Sequence, residues 1–111
     1  MIRKAKPATR SHEAATVESF RNDPGLAAEY LNAVLQDGDQ KELMLALRRL
    51  SEAHGGVAQV AADAKLNATS LYRTLSHKGN PELKSFKALL KAMGMRLAVQ
   101  PIGKAAPRVT R

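Results

Sequence analysis

The sequence predicts an all-α domain of five helices, followed by one short β-strand. A chain of 111 residues has room for a single domain. Hydrophobic residues make up 44% of it but aromatic residues only 4%, so Leu and Ala must supply most of the core, and both favour helices over strands. Apolar residues also recur at helical spacing in successive segments that Gly, Pro, Asn and Asp separate.

Both ends of the chain lack sustained apolar periodicity. Residues 1–22 are predicted to be a disordered basic tail, in which only Glu13 to Phe20 has a loosely helical pattern. Residues 101–111 are predicted to be a second disordered tail. The ordered domain is therefore expected to span residues 23–100.

The first predicted helix begins at Asp23 and Pro24, an N-capping side chain followed by a residue with no N–H group to leave unpaired. Gly38 is predicted to end this helix in the left-handed conformation. The apolar positions expected to face the core are Leu26, Ala27, Tyr30, Leu31, Val34 and Leu35.

A second helix is predicted to follow at once. Asp39 and Glu42 have the spacing of a capping box, with Asp in place of the usual Ser or Thr, and Gly55-Gly56 ends the helix. Its apolar stripe consists of Leu43, Met44, Leu45, Ala46, Leu47, Leu50 and Ala53.

The stretch from Gly56 to Ser76 is predicted to form two short helices joined by a tight corner. Asn67 is a suitable N-cap for the second of them. Leu66 and Leu71 have the spacing of a hydrophobic staple, which fixes the angle at which that helix leaves the corner. The residues expected to face the core are Val57, Val60, Ala61, Ala64, Leu71 and Leu75. This is the layout of a helix-turn-helix.

A last helix is predicted between Pro81 and Gly94, with lysines opposite its apolar stripe. The stripe consists of Leu83, Phe86, Leu89, Leu90 and Met93. Beyond it, Met95, Leu97 and Val99 alternate with more polar residues, a period of two that favours a short strand. A lone strand leaves its backbone unpaired, so we expect this segment to pair with a second subunit or another partner.

The outward side of the second corner helix carries the candidate DNA contacts, because that helix enters the major groove in a helix-turn-helix. The candidates for base contacts are Ala68, Thr69, Tyr72 and Arg73, and those for backbone contacts are Asn67, Ser70, Gln59 and Lys78. An Arg such as Arg73 can donate two hydrogen bonds to guanine. The alternative is that these are ordinary surface residues of a helical bundle.

Charge is distributed unevenly along the chain, whose formal net charge is +8. Residues 22–64 hold three basic and seven acidic residues, whereas residues 65–111 hold ten basic residues and one acidic residue. A basic half is typical of proteins that bind nucleic acid. The sign of the charge changes inside the predicted corner.

The sequence argues against an enzyme and against a metal or cofactor site. It has no Cys, and its histidines, His12, His54 and His77, lack the spacing of metal ligands. No Ser has the neighbours of a catalytic nucleophile. No apolar run is long enough to span a bilayer, and no signal peptide is recognisable, so we expect a cytoplasmic protein that does not bind membranes.

The stretch from Asp23 to about Val99 resembles the addiction-module antidote proteins, a HigA-like group of phage-repressor-type helix-turn-helix antitoxins. The motifs AAEYLN, LALRRLSEAHGG, SLYRTLS, GNP and LLKAMGMRL carry this resemblance in order. It implies a five-helix phage-repressor-like fold and an antitoxin that binds a RelE/ParE-like toxin and represses its own operon. Lys65 departs from the pattern, because such corners often have Gly there.

Three functions remain open on the sequence alone. The chain could be a dimeric antitoxin and DNA-binding autorepressor, with operator DNA and a cognate toxin as its partners. It could be a protein-binding module that keeps the fold without using DNA, its acidic part meeting a basic toxin. It could also be a stand-alone transcriptional regulator.

Overall fold

The computed structural model describes residues 8–76 and 78–103. Within them the chain forms helices joined by short connections, and no strand is present in this part of the chain. The helices are α1 (Ala8–Asn22), α2 (Pro24–Asp37), α3 (Gln40–Ala53), α4 (Val57–Ala64), α5 (Ala68–Thr74) and α6 (Leu83–Ala92). The prediction of an all-α fold is confirmed.

The first helix, α1, corrects the prediction that residues 1–22 are a disordered tail. Residues 8–22 form this helix, which packs on α2 and α3, so the described residues hold six helices and not five. Phe20 is 5% exposed, and its ring stacks on that of Tyr30 with 4.7 Å between the centroids. The apolar pattern missed α1 because few large apolar residues dock it. Residues 1–7 lie outside the described part of the chain.

Two arginine side chains complete the docking of α1. Arg49, on α3, donates to both carboxylate oxygens of Glu13, at 2.8 Å from Nε and 2.7 Å from Nη2, and its Nη1 donates to the hydroxyl of Tyr30 at 3.2 Å. Arg21, on α1, donates from Nε to the backbone carbonyl of Ala53 at 3.2 Å. These bonds connect α1 to the C-terminal half of α3, where the helix would otherwise leave carbonyl groups unpaired.

The core is centred on α3, which contacts α1, α2 and α4. Its side chains Met44, Ala46, Leu47 and Leu50 are completely buried. The other buried apolar residues are Phe20, Ala27, Leu31, Ala53, Val57, Val60, Ala61, Leu71, Leu75, Leu89, Leu90 and Met93. Ser51 is the buried polar residue of this part of the chain, and its hydroxyl donates to the carbonyl of Leu47 at 2.8 Å. The core is almost wholly aliphatic, as the composition predicts.

The predicted helix starts are confirmed by their hydrogen bonds. The Asp23 carboxylate accepts from the N–H group of Leu26, and Asp39 and Glu42 form the reciprocal bonds of a capping box. The role predicted for Gly38 is wrong, because its φ of −83° is not left-handed. A Cβ atom at this position would lie 2.8 Å from the carbonyl oxygen of Val34. Gly is therefore favoured at position 38 because a side chain would collide with the backbone of Val34, and not because the position has a positive φ.

Three residues predicted to face the core lie on the surface. Leu26 is 40% exposed, Leu35 42% and Leu83 65%. Leu83 is the first residue of α6, and the buried residues of this helix, Leu89 and Leu90, lie more than one turn further along. Gly94, with a φ of 80°, follows the end of α6 as predicted.

The strand predicted for Met95 to Val99 is absent from the described chain. Residues 95–100 have no regular structure. Met95 packs against the core, whereas Val99 is 99% exposed and Ile102 completely exposed. The described residues offer no second strand with which this segment could pair. The N–H group of Met95 donates instead to the carbonyl of Leu90 at 2.8 Å. Residues 104–111 of the predicted C-terminal tail lie outside the described part of the chain.

The corner between α4 and α5 is formed by Lys65, whose φ of 61° and ψ of 41° place it in the left-handed region. It is the one non-glycine residue with a positive φ in the described chain. A side chain in this conformation carries a steric cost that Gly avoids. The N–H group of Leu66 closes the turn by donating to the carbonyl of Ala61 at 2.8 Å.

We expect Lys65→Gly to raise the free energy of unfolding by about 0.5–1 kcal/mol, because the strain at the corner is relieved. Urea denaturation at neutral pH measures the change. Lys65→Ala is the control, since it removes the charge but keeps the Cβ atom, and it should give no comparable gain. Equal stabilisation by both variants would show that the lysine charge, and not the backbone conformation, is unfavourable.

The ion pair between Glu13 and Arg49 predicts a pH dependence of stability. Hydrogen bonds from Arg49 hold the pKa of the Glu13 carboxyl below its ordinary value, against the opposing effect of its partial burial. A lowered pKa in the folded state stabilises the fold above the unfolded pKa of about 4.5, and this contribution is lost as the pH falls through the folded pKa. We expect Glu13→Gln to lower stability at pH 7 by at most about 1 kcal/mol.

The difference between wild type and Glu13→Gln should shrink as the pH falls through the lowered folded-state pKa of Glu13 and vanish below it, because the wild-type carboxyl is then protonated too. Thermal midpoints measured from pH 7 to pH 3 follow this change. Glu29→Gln is the control, because Glu29 is an exposed residue of α2 with no ion pair among the described residues. A constant difference between wild type and Glu13→Gln at all pH values would contradict the expectation.

Candidate nucleic-acid interface

The two short helices α4 and α5 pack against each other. Val57, Val60 and Ala61 bury the inner side of α4. Leu71 and Leu75, one helical turn apart, bury that of α5 and its end. The opposite side of α5 is thereby turned to solvent, as the sequence pattern predicts.

The start of α5 is determined by Asn67. Its side-chain oxygen accepts from the N–H group of Ser70 at 2.8 Å, which confirms the predicted N-cap. Leu66, just before the cap, packs partly against the core. Asn67 is an exposed residue, and its side-chain amide nitrogen is a donor.

The outward side of α5 presents three chemically different side chains. Thr69, Tyr72 and Arg73 are all exposed, and the exposed fraction of Tyr72 is 57%. Ser70 is exposed as well, beside the cap. Ala68, predicted to point outward, is instead partly buried and packs against the core. The surface offers hydroxyl groups, a guanidinium and an aromatic ring within little more than one turn of helix.

Gln59 and Lys78 lie on either side of α5 along the chain. Gln59 is exposed on α4, where its amide nitrogen donates to the carboxylate of Asp63 at 3.0 Å. Lys78 is exposed in the loop that follows α5. Gln59 thus bonds to a neighbour on its own helix, whereas Lys78 lies in a loop.

Positive charge dominates the surface of the chain after the corner. The exposed basic residues of this part are Lys65, Arg73, Lys78, Lys84, Lys87, Lys91 and Arg96. The single acidic residue of residues 65–111 is Glu82, the N-cap of α6. A surface of this composition attracts polyanions.

Two residues of α3 hold the backbone beyond α5, and the sequence pattern did not single them out. The guanidinium of Arg48 donates to the carbonyl of Leu75, the C-cap of α5. The amide nitrogen of Gln40 donates to the carbonyl of Gly79 at 3.0 Å. The sequence does place Arg48 directly after Leu47, which is completely buried. This position next to the core is the signal that could have identified it.

The described residues show no arrangement typical of a metal site. No three His, Cys, Asp or Glu side chains come together among them. His12 lies on α1, His54 caps α3, and His77 is outside the described residues. None of the helices in the same part of the chain has the length and the hydropathy of a membrane-spanning segment.

Comparison with known proteins identifies a family. Residues 13–101 match the model of a family described as probable addiction module antidote protein. The chain is 32% identical over 71 residues to an uncharacterized protein of Haemophilus influenzae, an alignment that covers 64% of this chain and 72% of that protein. No solved structure is significantly similar to it. The chain therefore belongs to the family of probable addiction module antidote proteins.

Proposed function

We propose that this protein is the antitoxin of a type II toxin–antitoxin module, which binds a RelE/ParE-like toxin and represses its own operon. The observation that carries the DNA-binding part is the exposed side of α5, where Thr69, Tyr72 and Arg73 stand together. Membership of an antidote family supports the toxin-binding part. Both activities would take place in the cytoplasm.

We propose that α4 and α5 act as a helix-turn-helix, with α5 in the major groove. Arg73 would donate to O6 and N7 of guanine, and Thr69 would contact a base through its hydroxyl or methyl group. Tyr72 would reach a base or a phosphate. Asn67, Ser70, Gln59 and Lys78 would contact phosphates and hold the register. Ala68 is partly buried and would contribute less than the sequence suggests.

We propose that the protein binds its operator as a dimer. Two recognition helices must lie about 34 Å apart to read two half-sites on one side of DNA. The segment from Met95 to Val99 would provide the contact, because it leaves Leu97 and Val99 exposed in the single chain. Pairing with its copy would also satisfy backbone groups that have no partner strand among the described residues.

The acidic part of the chain is the proposed contact with the toxin. α2 contains no Lys or Arg, although the chain as a whole is strongly basic. It also leaves Leu26 and Leu35 on the surface. A toxin that cleaves RNA must bind a polyanion and is expected to have a basic surface. An acidic helix with exposed apolar side chains would complement it.

Two alternatives use the same fold differently. A protein-binding module without DNA binding would show no mobility shift with operator DNA even at low salt, where phosphate contacts are strongest. A stand-alone transcriptional regulator would bind DNA but would have no toxin partner. A short reading frame for a basic toxin-like protein beside this one would favour the antitoxin.

We expect Arg73→Ala to relax sequence preference at one base pair by roughly 1–3 kcal/mol, because a bidentate contact to a base is lost. Lys78→Ala is the matched comparison. It should weaken binding to all sequences alike and reduce the salt slope by about one, as loss of a phosphate contact does. Fluorescence anisotropy with operator and single-base variants at two salt concentrations measures both effects. Equal losses on operator and random DNA for Arg73→Ala would contradict base recognition.

We expect the double substitution Leu97→Lys and Val99→Lys to weaken dimerisation and operator binding together, because charges replace the exposed apolar contact. Sedimentation at micromolar concentrations measures the oligomeric state. The variant should remain folded, since Val99 is 99% exposed and Leu97, at 37% exposed, lies outside the buried core of the single chain. A wild-type protein that stays monomeric at these concentrations and still binds the whole operator would rule out this contact.

A further inference from the structure

The C-terminal end of α5 is held by a side chain from α3. The helix has only seven residues, and the one helix against which it packs closely in the described structure is α4. Leu71 and Leu75 anchor its inner side. Two buried side chains on one side of a short helix fix its distance from the core, but they restrain the tilt of its axis less. The bond from Arg48 to the carbonyl of Leu75 adds a restraint at the far end from the corner.

This bond also suits the electrostatics of the helix end. The last carbonyl groups of a helix have no partner within the helix, and they carry a partial negative charge. The guanidinium of Arg48 is partly buried and reaches this position from the neighbouring helix. A cation that satisfies an unpaired carbonyl is favourable in both respects.

The backbone beyond Leu75 is held to α3 at a second point. Gln40 donates to the carbonyl of Gly79 at 3.0 Å and to the side-chain oxygen of Asn80 at 3.4 Å. Gly79 passes so close to α5 that a Cβ atom on it would lie 1.5 Å from the carbonyl oxygen of Thr74. Gln40 and Arg48 are eight residues apart, which is about 12 Å along a helix. The end of α5 and the loop that follows it are thus fastened to α3 at two separate points.

We propose that Arg48 is a positioning residue for DNA recognition, which sets the direction in which α5 presents Arg73 and Tyr72. This inference rests on the DNA-binding function proposed above. Arg73 lies two residues before the carbonyl that Arg48 binds, so a tilt at this end moves its guanidinium. A bidentate contact with guanine tolerates displacements of only about 0.5 Å.

The adjacent residue provides a matched control. Arg49 is also a partly buried arginine of α3, but it bonds to Glu13 on α1 and to Tyr30 on α2. Loss of either arginine removes hydrogen bonds between helices and is expected to lower stability. Only loss of Arg48 should change how α5 meets DNA.

The test compares Arg48→Met, Arg48→Lys and Arg49→Met in the full chain. Each is titrated by fluorescence anisotropy against a duplex from the promoter of the protein's own operon and against a shuffled duplex, at two salt concentrations. Thermal melts confirm that the variants fold. We expect Arg48→Met to lower the ratio of specific to non-specific affinity about tenfold, the size of effect that one lost base contact has. Arg49→Met should keep the wild-type ratio, and Arg48→Lys should retain part of it, because an ammonium group can donate to the same carbonyl.

The salt dependence separates positioning from direct contact. Arg48→Met should leave the slope of affinity against salt unchanged, because a positioning residue neutralises no phosphate. A slope reduced by about one would assign Arg48 to a phosphate contact and overturn the inference. An unchanged affinity ratio in folded Arg48→Met, or an equal loss in Arg49→Met, would overturn it as well. If wild type itself does not distinguish the two duplexes, the proposed DNA recognition fails, and this inference fails with it.

Discussion

Burial of α3 is the constraint on which the rest of the structure depends. Met44, Ala46, Leu47 and Leu50 have no accessible surface, and complete burial of one large aliphatic side chain contributes about 1.5–3 kcal/mol. α1 and α2 cover one side of α3, and α4 packs on it in turn. α4 then carries α5 and α6. The exposed side of α5 is thus positioned through two successive contacts, that of α4 with α3 and that of α5 with α4.

The parts of this fold that could be predicted from sequence are those determined by neighbouring residues. Caps at Asp23, Asp39 and Asn67 depend on a side chain and a backbone N–H group three residues away, and all three form as expected. The corner between α4 and α5 is expected as well, because Asn67 marks the start of the second helix, although Lys65 stands where such corners often have Gly. The exposure of Thr69, Tyr72 and Arg73 follows from helical spacing once Leu71 and Leu75 are assigned to the core.

The parts that escaped prediction depend on residues distant in sequence. α1 contacts the rest of the fold through Phe20, which stacks on Tyr30, and through Glu13, which accepts from Arg49. Neither partner is visible from residues 8–22 alone. Arg48 acts on a carbonyl 27 residues away. Gly38 and Gly79 are required by contact with backbone carbonyls, which composition and spacing do not reveal. Such features are evident only once the helices are assembled.

The left-handed Lys65 has a consequence for how this sequence can change. Selection maintains stability above a threshold and does not maximise it, so a strained residue persists where the remaining margin is sufficient. The left-handed conformation of Lys65 lowers the stability of the fold, and Lys65 is also the first basic residue of the positively charged part of the chain. A variant with Gly at this corner would therefore tolerate more destabilising substitutions elsewhere than the protein with Lys65. The corner is a natural first site for engineering a more robust version of the protein.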